Sequence, residues 1–167
     1  MRAAAASQAD PVPPLRVLEA KIPAPVVTLA VALVMRWQFL QAAPQVQAGS
    51  PRAVATVVVA LGSAAIAAAA FFAFWRAGTT INPMRPERAS VLVTGGVYRF
   101  TRNPMYLSLL LLLVAYAIEL AAPLALLGPL VFAAYITRYQ VLPEERVLER
   151  KFGADWVRYR SAVRRWL

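Results

Sequence analysis

The chain has 167 residues, 60% of them apolar, and a mean hydropathy of +0.55, values that a soluble domain of this length rarely reaches. It contains no Cys and no His, which excludes disulfides, thiolate nucleophiles, Cys/His metal sites, haem held by His and imidazole acid–base chemistry. The formal charge is +10, so nucleic-acid binding has to be weighed against a membrane role.

Residues 1–21 are rich in Ala and Pro and carry three basic side chains. They read as an N-terminal interfacial segment. No apolar core follows the first charge directly, so a cleaved signal peptide is not expected. A membrane-spanning helix needs about 20 mostly apolar residues. Four stretches approach that: 22–42, 51–75, 103–120 and 123–142. The predicted fold is all-α: a polytopic integral membrane helical bundle of about four transmembrane helices plus a C-terminal amphipathic helix.

Span one opens with Pro23 and Pro25 and holds Arg36 late in its length, where the side chain must snorkel or face protein. Span two is rich in Gly, Ser and Ala, which let membrane helices approach closely, so it is expected at the centre of the bundle. It ends in Phe71, Phe72, Phe74, Trp75 and Arg76, an interfacial anchor. Residues 76–102 form a long loop with breakers at Asn82-Pro83 and Arg85-Pro86. Ala121-Ala122-Pro123 is a tight turn, so residues 103–142 form a helical hairpin, with Gly128-Pro129 able to kink its second arm. After Pro143 the apolar positions 148, 152, 156, 159, 163 and 166 recur at helical spacing, predicting one amphipathic helix over 143–167. Gly153 is able to divide it. The whole chain reads as one membrane domain without internal repeats.

The basic residues alternate. Five lie between spans two and three (Arg76, Arg85, Arg88, Arg99, Arg102), eight lie from Arg138 onward, and the turn between spans three and four has none. This is the positive-inside pattern for four helices with both termini cytoplasmic. Topology and anionic lipid account for the charge, and no nucleic-acid partner is expected.

The hairpin brings two polar clusters to one membrane face. One is Gly95-Gly96-Val97-Tyr98-Arg99-Phe100-Thr101-Arg102-Asn103-Pro104-Met105-Tyr106; the other runs from Arg138 through Glu144-Glu145 to Leu148 and Phe152-Gly153. Each has a plain structural account. Asn103 and Pro104 suit a helix start, and two acids suit a first turn. Charge at that depth is costly unless it is paired or binds something. Both readings stand on these residues alone.

Together, residues 95–108 and 138–163 resemble the isoprenylcysteine carboxyl methyltransferase family and its relatives, the membrane phospholipid N-methyltransferases. The matching residues are Tyr98-Arg99, Arg102, Pro104, Tyr106, Glu144-Glu145, Leu148, Phe152-Gly153, Tyr159 and Val163. Thr80 to Thr94 is similar to bacterial members, which implies a bacterial inner membrane. Asn103 stands where the family usually has His, Ser108 replaces a frequent Gly, and Trp156 a frequent Tyr.

The resemblance implies methyl transfer from S-adenosylmethionine to a lipophilic or prenylated acceptor at the cytoplasmic membrane face, with S-adenosylhomocysteine as product. It implies a cofactor site between the ends of the last spans and the C-terminal helix, which residues 143–167 would complete. Cofactor contacts carried over are Arg102, Asn103, Pro104, Tyr106, Arg138, Glu144, Glu145 and Leu148. Arg99, Arg138 and Glu145 are the candidate catalytic residues, Arg99 to orient an anionic acceptor. No Gly-rich nucleotide fingerprint is present, which excludes a soluble-type Rossmann methyltransferase. The partners implied are membrane lipids and a lipophilic substrate; no metal is implied. The acceptor and the oligomeric state are not readable. Two rival readings remain. A nicotinamide-dependent membrane reductase would bind NADPH, and a non-enzymatic scaffold or lipid-binding protein would have no cofactor affinity to lose.

Overall fold

The computed structural model describes residues 22–39, 48–78 and 91–167. The N-terminal interfacial segment, the end of span one and residues 79–90 of the long loop lie outside the described residues.

The described residues contain α-helices and no strand. In chain order they are α1 (Ala24–Phe39), α2 (Pro51–Arg76), α3 (Pro104–Leu120), α4 (Leu127–Ile136), α5 (Leu142–Phe152) and α6 (Ala154–Ala162). Helix α2 begins with Pro51 behind Ser50, whose Oγ accepts from the Ala53 amide at 3.2 Å. Two helical stretches, Pro51–Arg76 and Pro123–Phe152, are long and apolar enough to cross a membrane, whereas α1 and α3 are apolar but shorter.

Helix α3, not α2, is the centre of the bundle. It packs against α1, α2 and α4 and buries eight residues, whereas α2 buries only Ser63 and Ala70. The small residues of α2 do allow a close approach, shown by Ser63 Oγ donating to the Ser108 carbonyl at 2.7 Å. Ala70 packs in turn against Tyr98, and α2 faces outward through Val54, Val57, Val58 and Leu61. Exposed aliphatic residues on α1 (Leu29, Leu33, Val34) and near the hairpin tip (Leu124, Leu127, Leu130) extend this apolar surface. So large an apolar exterior suits lipid.

The main core joins Met35, Leu113, Phe132, Ile136 and Val141. The hairpin turn is made by Ala121 in the left-handed region (φ 50°) followed by a 3₁₀ turn at Pro123–Leu126.

Span four does not stop at 142 with a new helix opening at Pro143. The helix runs on to Phe152 through a π-helical segment, Thr137–Val141. Proline inside an α-helix removes one hydrogen bond and collides with the carbonyl four residues back. Widening the preceding turn relieves that conflict and keeps the helix continuous. The predicted amphipathic helix divides at Gly153 (φ 49°, ψ −118°) and ends at Ala162. Val163 turns extended (φ −125°, ψ 132°), so the last five residues lie outside the helix expected there.

Candidate functional site

The two polar clusters meet. A 3₁₀ turn, Gly96–Arg99, leads into Thr101-Arg102-Asn103 at the start of α3, facing the first turn of α5. Pro104 occupies the first helical position and is fully buried. Asn103 sits at the cap position, but its side chain does not cap α3. Its Nδ2 donates instead to the Arg165 carbonyl at 2.9 Å.

Two carboxylates share this space and have different partners. The Tyr106 phenol donates to Glu144 Oε1 at 2.5 Å. Glu145 receives a two-pronged contact from Arg165: Nε to Oε1 at 2.9 Å and Nη2 to Oε2 at 2.7 Å. Arg102 Nη1 lies 3.4 Å from the same Oε1. Such forked pairs are strong and directional.

Arg102 is the most constrained cation of the site. Its side chain is 10% exposed, and its guanidinium lies 5.5 Å from the Trp156 ring centre. Burial pulls its pKa below the usual value, with Glu145 opposing that shift. The Arg102 Nε and the Trp156 Nε1 are both buried without a hydrogen-bond partner among the described residues. Orphaned buried donors are uncommon and call for a ligand or water.

Beneath them lies a second core of Ala70, Tyr98, Trp156 and Tyr159. Phe74 meets Tyr98 edge to face at 5.4 Å, and the Tyr159 phenol donates to the Tyr98 carbonyl at 2.7 Å. Burial pushes both phenols above their ordinary pKa, so they remain neutral. The predicted stripe thus packs inward: Leu148, Phe152 and Val163 line this core, and Trp166 reaches the main one.

Of the residues singled out in the sequence, Arg102, Asn103, Pro104, Tyr106, Glu144 and Glu145 come together, with Leu148 on the adjoining core. Arg138 lies in the π-helical segment, its guanidinium 5.4 Å from the Tyr139 ring. Arg99 is exposed and takes no part in these contacts. Sequence reasoning missed Arg165. In the run Arg164-Arg165 it is one of eight basic residues from Arg138 onward, which the charge pattern explains by topology. Beside the site, Ala67, Phe71, Phe72, Met105 and Leu109 line an apolar groove between α2 and α3.

A model of the phospholipid methyltransferase family matches residues 51–155, well over half of the chain. The chain belongs to that family. Membership places it among membrane methyltransferases, in keeping with its apolar helices. A stretch of 63 residues, 38% of the chain, is 49% identical to the whole of an uncharacterized protein of Haemophilus influenzae. No solved structure matches the chain.

Proposed function

We propose that this protein transfers a methyl group from S-adenosylmethionine to a lipophilic acceptor at the cytoplasmic face of a bacterial inner membrane. The observation that carries the reading is the pairing of Tyr106 with Glu144 beside a buried Arg102 whose Nε has no partner among the described residues, in a chain of a methyltransferase family.

The residues fit the cofactor's polar groups. Glu144 supplies a carboxylate for its ammonium or ribose hydroxyls. Arg102 Nε and Trp156 Nε1 supply two donors for its carboxylate, a donor set that suits an anion. Asn103 and Tyr106 add hydrogen-bonding groups, Pro104 shapes the start of α3, and Leu148 adds apolar surface. Arg138 is the second cation assigned to the cofactor's anionic group, and Arg99 stands outside to meet an anionic acceptor. S-adenosylmethionine, when bound, supplies an electrophilic methyl group for in-line displacement. The protein's task is then alignment and exclusion of water, which calls for no His or Cys.

The chain works as one membrane unit with four spans and both termini cytoplasmic. The shorter α1 and α3 are matched by local thinning of the bilayer. The groove between α2 and α3 lies one residue from Tyr106, through Met105, and suits an acceptor's hydrocarbon part. An aminophospholipid headgroup is the first acceptor reading, in keeping with a family described as phospholipid methyltransferases. A prenylated cysteine carboxylate, suggested by the sequence resemblance, is the second reading. Incubation with methyl-labelled S-adenosylmethionine and vesicles carrying phosphatidylethanolamine or a prenylcysteine tests both. Label in one lipid class names the acceptor; label in neither, from folded protein, counts against methyl transfer to these acceptors.

A further inference from the structure

The last five residues form a strap across the site. The Arg102 amide donates to the Arg164 carbonyl at 3.0 Å, and Thr101 Oγ1 and Asn103 Nδ2 donate to the Arg165 carbonyl at 3.2 and 2.9 Å. Trp166 Nε1 donates to Thr137 Oγ1 at 3.2 Å, in the π-helical segment. The strap therefore ties the start of α3 to the π-helical segment of span four. At its middle, the fork of Arg165 occupies both oxygens of Glu145.

That arrangement decides what Arg102 can do. Glu145 touches Arg102 only at 3.4 Å, through Nη1, and Arg102 Nε keeps its proton unshared in a buried place. A Glu145 released from Arg165 is free to turn its second oxygen to Arg102, which already lies 3.4 Å from the first. A fork-to-fork pair would form and take the Nε–H. The fork of Arg165 engages both carboxylate oxygens and so holds Glu145 in this orientation, and the Glu145 hydrogen bonds raise the Arg165 pKa above its usual value.

We propose that Arg165 is a positioning residue, which holds Glu145 back so that Arg102 keeps a donor for the anionic group of the bound cofactor. This rests on the methyltransferase reading for the identity of the ligand, but not for the latch itself.

The test uses full-length protein in nanodiscs, with Arg165→Gln and Arg165→Lys. Titration with S-adenosylhomocysteine is read beside thermal midpoints and KM against kcat for S-adenosylmethionine. Arg165→Gln should weaken S-adenosylhomocysteine binding about tenfold, the scale of one charge-assisted interaction. KM should rise with it, and kcat at saturation should stay within about twofold, as for lost uniform binding. Arg165→Lys, which keeps the charge without the fork, should fall between wild type and Gln. If Arg165→Gln does not fold, the Lys variant alone decides, and an unchanged affinity there overturns the proposal. Unchanged affinity in folded Arg165→Gln, or tighter binding because Glu145 has been released to the ligand, also overturns it. Wild-type protein that binds no S-adenosylhomocysteine overturns the cofactor reading itself. In that case slower exchange of the Arg102 Nε–H in Arg165→Gln, as expected when Glu145 takes that proton, still supports the latch, and unchanged exchange overturns it.

Discussion

Tyr106 and Glu144 are joined by a 2.5 Å hydrogen bond that links the first turn of α3 to the first turn of α5. Removing the phenol in Tyr106→Phe strips a buried carboxyl group of its donor. The expected cost is about 1–3 kcal/mol, seen as a lower thermal midpoint. Glu144→Gln keeps an oxygen that accepts from Tyr106, so it should be more stable than Tyr106→Phe. Both should bind S-adenosylhomocysteine more weakly. A Glu144→Gln protein with wild-type affinity would remove Glu144 from the cofactor contacts.

Trp156 separates a packing role from a binding role. Its ring packs against Arg102 and Tyr159, and its N–H has no partner among the described residues. Phenylalanine there loses some buried area but also removes an unsatisfied donor, a group that costs about 1–3 kcal/mol. Trp156→Phe should leave the thermal midpoint near that of wild type while lowering cofactor affinity. Melting and titration on the same preparation check the pair of effects.

Gly153 sets the turn that carries α6 back under the site. Its φ of 49° with ψ of −118° is open to glycine and strained for any L side chain. Gly153→Ala should cost about 1–3 kcal/mol. Because α6 brings Trp156 and Tyr159 to Tyr98, the variant should also weaken cofactor binding. A stable variant with full affinity would show that the turn does not govern the site.

Gly128 of α4 lies against Met35 and Val31 of α1. A Cβ there would lie 2.8 Å from Met35 Cγ and 3.3 Å from Val31 Cγ1, and Met35 is almost fully buried. Overpacking of this kind costs about 1–3 kcal/mol. Gly128→Ala should therefore lower the thermal midpoint, and adding Met35→Ala should recover part of the loss. Cofactor affinity should change little, since the contact lies in the other core.

The sequence was legible where a residue's chemistry leaves one local solution. Pro104 opens α3, Gly153 divides the tail, and the turn at Ala121-Ala122-Pro123 closes the hairpin. It was less legible where several solutions share one composition. Small residues in α2 permit close packing without saying how many neighbours use it, and α3 took the centre. Pro143 reads as a helix start in isolation; only the widened turn at Thr137–Val141 lets the helix pass through it. Asn103 has cap chemistry, yet its amide holds the strap. Arg165 has no local signal, because its role depends on an extended tail that meets Glu145 from 20 positions further along the chain.

The most direct test of the central claim is calorimetric titration of nanodisc-held protein with S-adenosylhomocysteine, beside NADPH and a Glu144→Gln/Glu145→Gln double variant. The account predicts saturable binding of S-adenosylhomocysteine to wild type, loss of that binding in the variant, and none for NADPH. Folded wild-type protein that does not bind S-adenosylhomocysteine would contradict it.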